Sequence, residues 1–225
     1  MIRAVFFDLD GTLIDSLNDL AASTNYVLKQ HGYPDRPTAE FPYFVGDGIP
    51  KMIERALPET ARDKITVQKL TEDFLAYYAV HYADQTVVYA GMPEMVKVLK
   101  QQGFRLAVIT NKAQIMADTL VKRLYGENTF DLIVGKQEGV PGKPDATSTL
   151  RAMEALSLLP EECAFLGDSG VDMLTAVHSG ALPIGELWGY RKEDELLQNG
   201  ARIIIQKPSD LANVINEVNG CDIKL

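Results

Sequence analysis

The chain has 225 residues, of which 46% are apolar and 24% charged, so extended disorder is excluded. Its formal net charge is −9, and a nucleic-acid partner is therefore not expected, because a phosphate backbone is bound by a basic surface. Cys163 and Cys221 lack the spacing of a metal or redox site, and we find no leader peptide and no apolar run of membrane length. These features predict a cytoplasmic protein without a membrane partner.

Short apolar runs alternate with amphipathic segments through most of the chain. The apolar runs predict strands at 2–7, 105–109, 132–134, 164–166, 182–184 and 202–205. The segments between them predict helices at 93–102, 113–124, 145–156, 170–179, 192–198 and 209–218. This alternation is typical of an α/β fold with a doubly wound, Rossmann-like parallel sheet and helices on both faces.

One interval departs from the alternation. Between residues 16 and 83 the sequence predicts helices at 17–31, 49–57 and 67–82 and no strand. We therefore predict a catalytic core formed by residues 1–15 and 84–225, with a small all-helical cap domain, residues 16–83, inserted into it. The alternative is one continuous α/β domain with long helical excursions.

The first predicted strand ends in two acids, Asp8 and Asp10, followed by Gly11. Residues two apart in an extended chain point the same way, so both carboxylates can face one cleft. Buried like charges need a cation or a shared proton, and Mg²⁺ prefers oxygen ligands of this kind. The motif therefore predicts a Mg²⁺ site, although Asp-x-Asp-Gly by itself also occurs in calcium loops and ordinary turns.

Three later segments carry polar residues at or after the ends of later strands. Thr110 and Asn111 end the second strand of the alternation and can meet phosphate oxygens, or they can simply cap a helix. Lys143 precedes a helix and can neutralise a phosphoryl group, or it can be a solvated loop lysine. Asp168 and Asp172 follow the strand at 164–166 and can be acids of the site, or a helix cap and a first-turn acid. Parallel strands bring all these segments to one edge of a sheet.

In this order and spacing, the four segments resemble the motifs of the haloacid dehalogenase superfamily, specifically its phosphoglycolate-phosphatase-like branch with a small helical cap. The resemblance extends over almost the whole chain. It implies that Asp8 is a nucleophile that forms an aspartyl-phosphate and that Asp10 is the general acid and base. It also implies that Lys143 pairs with the nucleophile and the phosphate.

The same resemblance assigns the remaining site residues. Thr110 and Asn111 would bind the substrate phosphate together with Lys143. The metal ligands would be Asp8, the carbonyl of Asp10, and Asp168. Asp172 would order the surroundings of the metal.

The residues also separate the chemistries known in this superfamily. Dehalogenases resembling it lack the second acid of the first motif, so Asp10 favours phosphoryl transfer. Related sugar-phosphate mutases have a cap histidine where this chain has Leu20. We therefore expect a Mg²⁺-dependent monomer or homodimer that hydrolyses a small phosphorylated metabolite such as phosphoglycolate.

Several functional alternatives remain open at this point. They are a sugar-phosphate phosphatase, a phosphoglucomutase-like enzyme, a pyrophosphatase, and a non-enzymatic phospho-aspartate or phosphate-binding module. In the cap, Lys51 or Arg55 can meet a substrate carboxylate, or both can be exposed helix charges. Trp188-Gly189-Tyr190, after the strand at 182–184, is interpreted as packing.

Overall fold

The structure is a computed structural model in which residues 1–220 are described. The chain divides into an α/β unit, formed by Met1–Ile14 and Val88–Leu225, and a helical unit, Asp15–Val87. Cys163 is a buried free thiol of the α/β unit, and Cys221 lies outside the described residues.

Eight strands occur within residues 1–220: β1 (Ala4–Phe7), β2 (Ile14–Asp15), β3 (Val87–Val88), β4 (Arg105–Ala113), β5 (Leu132–Lys136), β6 (Cys163–Gly167), β7 (Leu182–Glu186) and β8 (Ile203–Ile205). Six form a sheet in the order β5-β4-β1-β6-β7-β8, in which all neighbours are parallel, while β2 pairs with β3. The chain runs from β1 outward through β4 to β5 and then returns to β6 on the other side of β1. Such a reversal opens a crevice at the carboxyl ends of the central strands, where α/β proteins bind their ligands.

Nine α-helices occur in the same residues: α1 (Leu17–Gln30), α2 (Ile49–Ala56), α3 (Lys64–His81), α4 (Met92–Gln101), α5 (Gln114–Tyr125), α6 (Thr147–Ala155), α7 (Gly170–Ser179), α8 (Glu193–Gln198) and α9 (Asp210–Gly220). The first three belong to the helical unit and the other six to the α/β unit. Within residues 1–220, no helix has both the length and the apolar composition that a membrane crossing requires.

Strand β1 is the buried centre of the sheet. All four of its residues are fully buried, as expected for a parallel strand with both faces covered by helices. On one face, Phe6 lies in a core cluster with Met153 of α6 and Ala176 of α7. On the other, Phe7 packs edge-on against Phe130, with 5.9 Å between the ring centroids. This packing fixes the position from which Asp8 leaves the sheet.

The helical unit has its own core and caps. Phe74 and Tyr78 of α3 are fully buried and stack on each other, with 5.1 Å between the ring centroids. Helix α3 begins after Asp63, whose carboxylate accepts hydrogen bonds from the N–H groups of Ile65 and Thr66. The cap and the aromatic pair explain why this segment is a long helix.

A buried carboxylate ties the start of the helical unit to its end. Asp19 of α1 accepts hydrogen bonds from the N–H of Gln85 at 2.9 Å, from the N–H of Thr86 at 2.8 Å, and from the Thr86 hydroxyl at 2.7 Å. Asp19 is only 2% exposed. Each oxygen of this carboxylate therefore receives a neutral donor.

The predicted fold class, a parallel α/β sheet, is confirmed. The observed β4 continues to Ala113, four residues past the predicted end, because β5 supplies a pairing partner beyond a shift of register after Ile109. Polar residues in that extension weaken the apolar signal from which strands are predicted. Between residues 16 and 83, all of which the structure describes, the regular elements are helices.

Candidate active site

The loop after β1 places the first acid in the interior. Asp8 is 8% exposed, and its N–H donates to the carbonyl of Leu166 at 3.0 Å, as a continuation of the pairing between β1 and β6. Gly11 then turns the chain with a φ of +98°. A side chain at Gly11 would collide with the carboxylate of Asp168, so the turn requires glycine for two reasons.

Lys143 joins two of the acids. Its ammonium lies 2.6 Å from Oδ1 of Asp8 and 2.5 Å from Oδ1 of Asp172. The amide of Asn111 holds the backbone of the lysine: its Oδ1 accepts the Lys143 N–H at 2.8 Å, and its Nδ2 donates to the Lys143 carbonyl at 3.1 Å. The lysine is therefore positioned from both its backbone and its head group.

The acids after β6 are held in different ways. Asp168 accepts the Tyr190 N–H at 2.8 Å and faces the Thr12 hydroxyl at 3.5 Å. Asp172, fully buried, accepts the N–H of Ser169 at 3.1 Å and its hydroxyl at 2.5 Å, which forms a capping box at the start of α7. Local helix-capping chemistry thus coexists with the ion pair to Lys143.

The end of β4 contributes a hydroxyl and an ammonium. Thr110 is 6% exposed, and its hydroxyl accepts the N–H of Lys112 at 3.1 Å. The Lys112 ammonium lies 2.9 Å and 3.2 Å from the two oxygens of Asp10. Sequence reasoning assigned no role to Lys112, although its two-residue spacing from Thr110 was a signal that both side chains point to the same side.

Burial and mutual repulsion dominate the electrostatics of the site. Burial, and next the charge of Asp172, raise the pKa of Asp8 to about 7 against the opposing effect of Lys143. Burial and the charges of Asp172 and Asp8 also raise the pKa of Asp168 well above its usual range. Burial acts to lower the pKa of Lys143, but the charges of Asp172 and Asp8 outweigh it and raise that pKa.

Three carboxylates meet the requirements of a divalent cation. Asp8, Asp168 and Asp172 each offer an oxygen, and these oxygens all lie within 4.8 Å of one another. All three residues are buried, so their repulsion is poorly screened by water. A hard cation with oxygen ligands fits this donor set because it would neutralise the excess negative charge that Lys143 balances only in part.

The sequence relationships agree with this chemistry. A profile of the haloacid dehalogenase-like hydrolases matches residues 5–184. The chain belongs to this family.

Relatives of this hydrolase extend over nearly its whole length. It is 31% identical to a phosphoglycolate phosphatase of Aquifex aeolicus, over 96% of this chain and 97% of the relative. It is 35% identical to a phosphoglycolate phosphatase of Colwellia psychrerythraea, over 88% and 90%. The crystal structure of a candidate phosphoglycolate phosphatase from Lactobacillus delbrueckii subsp. bulgaricus is 28% identical and superposes with a TM-score of 0.90, over 95% of this chain and 98% of the other. The predicted enzyme class, a phosphoric monoester hydrolase, is confirmed.

The structure of this hydrolase brings the seven predicted site residues together. They lie at the carboxyl edge of the sheet and are connected by the contacts described above: Asp8, Asp10, Thr110, Asn111, Lys143, Asp168 and Asp172. The side chain of Asp10 pairs with Lys112, and the amide of Asn111 holds the lysine loop. The phosphate-binding role of Asn111 stays a prediction.

Two further basic residues were considered as substrate contacts. In the helical unit, Arg55 pairs with Asp47 at 2.5 Å and Lys51 pairs with Glu54 at 2.7 Å. These pairs favour the interpretation as helix charges.

Glu186, at the end of β7, was not singled out from the sequence. It is fully buried, and burial together with the charge of Asp168 raises its pKa to about 10. The N–H groups of Trp188 and Gly189 donate to its Oε2 at 2.6 Å and 3.1 Å. A lone glutamate at the end of an apolar strand was the available signal, since charged residues are rarely buried without a reason.

Proposed function

We propose that this haloacid dehalogenase-like hydrolase is a Mg²⁺-dependent phosphatase of a small phosphomonoester, with phosphoglycolate as the favoured substrate. The observation that carries the chemistry is the meeting of Asp8, Lys143 and Asp168 at the carboxyl edge of one sheet. The substrate is favoured because phosphoglycolate phosphatases are similar to this chain over most of their length.

The metal would be held by the carboxylates of Asp8 and Asp168 and by the carbonyl of Asp10, with Asp172 ordering the surroundings. When bound, Mg²⁺ would supply positive charge to the phosphoryl oxygens and to the acids around them. The support is that Asp8 and Asp168 are buried and each offers a carboxylate oxygen, within 4.8 Å of one another and of an oxygen of Asp172.

In the first half of the reaction, Asp8 would attack phosphorus. Lys143 pairs with Oδ1 of Asp8, which leaves Oδ2 as the attacking oxygen. As the bond from Asp8 to phosphorus forms, the bond to the leaving alcohol breaks, and Asp10 gives that oxygen its proton. Thr110 and Lys143 would bind the phosphoryl oxygens during the transfer.

In the second half, Asp10 would take a proton from water as the water oxygen attacks phosphorus. The bond from Asp8 to phosphorus then breaks, and inorganic phosphate leaves. Lys112 would hold the Asp10 carboxylate in place between the two steps, since its ammonium contacts both oxygens.

The proposal also covers the domain organisation, the location and the oligomeric state of the protein. We assign the residues inserted after the first strand, 16–83, to a cap domain that selects the substrate and excludes water, with 1–15 and 84–225 as the catalytic core. We place the protein in the cytoplasm as a monomer or homodimer. We expect no nucleic-acid partner, because a net charge of −9 disfavours binding to a phosphate backbone.

The decisive experiment is a substrate panel ranked by kcat/KM. Phosphoglycolate, hexose phosphates, pyrophosphate and an aryl phosphate would be tested with Mg²⁺ and with EDTA. We expect Mg²⁺-dependent turnover with phosphoglycolate ranked first. Turnover that survives EDTA would contradict the metal requirement. If a hexose phosphate or pyrophosphate ranked first, the proposal of phosphoglycolate as the favoured substrate would be wrong.

A further inference from the structure

Glu186 is a buried acid that the proposed reaction does not use. Its exposed fraction is 0%, and among residues 1–220 its Oε1 has no hydrogen-bond partner. Burying a carboxylate oxygen without a donor is unfavourable, and an apolar residue of similar size would avoid that cost. The position therefore calls for an explanation other than stability.

The other carboxylate oxygen of Glu186 holds the turn that follows β7. Oε2 accepts the N–H groups of Trp188 at 2.6 Å and Gly189 at 3.1 Å. The next residue, Tyr190, donates its N–H to Oδ2 of Asp168 at 2.8 Å. Glu186 is therefore linked to Asp168 through a single short turn.

The same turn is fixed against the loop of the nucleophile. The indole N–H of Trp188 donates to the carbonyl of Thr12 at 3.0 Å. At Gly189 there is no room for a side chain, because a Cβ there would lie within 2.5 Å of the side chain of Asp168, the carbonyl of Gly11 and Oε1 of Glu186. A shift of this turn would therefore move the N–H that orients Asp168.

We propose that Glu186 is a positioning residue for the cation-binding carboxylate of Asp168, acting through the turn 187–190. The inference rests on the proposed function, since it assigns Asp168 to Mg²⁺. Groups that orient metal ligands from outside contribute strongly to metal affinity.

A purely structural brace is the competing explanation, and the chain offers a matched control for it. Glu162 accepts the N–H of Leu159 at 2.9 Å through Oε2 and pairs with Arg3 at 2.8 Å. Glu162 precedes β6, at the opposite end of that strand from Asp168. Like Glu186, Glu162 therefore accepts a backbone N–H of a nearby turn, but among the described residues it has no link to the acids of the active site.

The test compares Glu186→Met, Glu186→Gln and Glu162→Met. The first readout, without substrate, is the rise in Tm as Mg²⁺ is added to the metal-free protein. The second is the Mg²⁺ concentration for half-maximal phosphatase activity. We expect Glu186→Met to require ~10-fold more Mg²⁺ in both. Glu186→Gln, which keeps an acceptor oxygen for the two N–H groups of the turn, should stay within about 2-fold of the wild-type Mg²⁺ requirement.

The control Glu162→Met should keep the wild-type Mg²⁺ dependence even if its Tm in EDTA is lower. A wild-type Mg²⁺ dependence in folded Glu186→Met would overturn the proposal. If Glu186→Met does not fold, Glu186→Asp replaces it, because its shorter side chain withdraws the acceptor from the turn, and a wild-type Mg²⁺ dependence there would overturn the proposal equally. Equal weakening in Glu186→Met and Glu186→Gln would overturn the role of the turn. If the wild-type protein itself does not respond to Mg²⁺, the proposed function fails rather than the role of Glu186.

Discussion

Two aspartates that are buried to the same extent have opposite surroundings. Asp19 in the helical unit and Asp168 in the α/β unit are each 2% exposed. Asp19 accepts two backbone N–H groups and a hydroxyl, from Gln85 and Thr86, all within 3.0 Å. Among residues 1–220, Asp168 has one such close donor, the N–H of Tyr190, and its other neighbours include negatively charged groups.

This difference distinguishes a charge that is buried to stabilise the fold, Asp19, from a charge that is buried to serve the active site, Asp168. Neutral donors around Asp19 satisfy its charge within the folded chain, so its burial serves the fold. The charges of Asp8 and Asp172 instead raise the pKa of Asp168, after burial itself. Such an arrangement needs either a bound proton or an added cation, and this is why we place the cation there.

The largest effect is expected from Asp8→Asn. An amide cannot attack phosphorus, so kcat should fall by on the order of 10⁴-fold or more. The Tm in EDTA should not fall, because the substitution removes one of the repelling charges. Steady-state kinetics and thermal unfolding measure both quantities. Residual turnover above about one per cent would remove Asp8 from the role of nucleophile.

The next effect is expected from Lys143→Met. Without the ammonium, Asp8 and Asp172 lose their shared counter-charge, and kcat/KM should fall by roughly 10²-fold to 10³-fold. The Tm in EDTA should also fall. Lys207→Met is the control, because that lysine is exposed and forms only a loose ion pair of 3.9 Å with Asp210. Equal behaviour of the two variants would refute the assignment of Lys143.

On the structural side of the contrast, Asp19→Ala should affect folding rather than chemistry. The substitution leaves the N–H groups of Gln85 and Thr86 without the carboxylate that accepts them, while the Thr86 hydroxyl can still donate to the Tyr82 carbonyl at 3.1 Å. We expect the free energy of unfolding to fall by ~1–3 kcal/mol, as measured by urea denaturation. The Mg²⁺ concentration for half-maximal activity should stay at the wild-type value. A change in that value with unchanged stability would reverse the contrast.

The smallest effect is expected in the pH dependence of the free energy of unfolding of the metal-free protein. Because burial and the charge of Asp172 raise the pKa of Asp8 from 3.8 to about 7, the folded state binds a proton that the unfolded chain releases between these values. The free energy of unfolding in EDTA should therefore decrease as pH rises from about 5 to about 7. Thermal unfolding at several pH values measures this slope.

Saturating Mg²⁺ should flatten the slope, because the cation favours the ionised acids. Asp8→Asn should flatten it in EDTA as well. A metal-free protein whose stability increases over this pH window would show that the acids do not repel one another in the folded state.

Much of the fold followed from local patterns in the sequence. Apolar runs such as 2–7 and 164–166 predicted β1 and β6, since a strand buried on both faces needs apolar residues throughout. The end of β4 was missed, because residues 110–113 are mostly polar and belong to the strand only through pairing with β5. Strand length there depended on a partner distant in sequence.

The site residues likewise fall into those that the local sequence predicted and those whose contacts only the tertiary structure shows. Asp8 and Asp10 stood out because they directly follow a predicted strand, and Lys143 because it lies in a loop just before a predicted helix. The pairing of Lys112 with Asp10, and that of Asn111 with the backbone of Lys143, had no local signal. Each depends on side-chain directions at the meeting point of two loops.

By itself, the sequence determined the order of the six strands of the main sheet and of the α-helices, and it singled out Asp8, Asp10, Asp168 and Asp172, because hydropathy and chemical type are local properties of the chain. The short strands β2 and β3 were not predicted. The tertiary structure decided which acids share a volume, which donors each one receives, and that Glu186 braces the turn beside Asp168. These outcomes depend on distances between segments far apart in sequence. The energy of a buried charge is set by its neighbours in space, and no pattern along the chain encodes them directly.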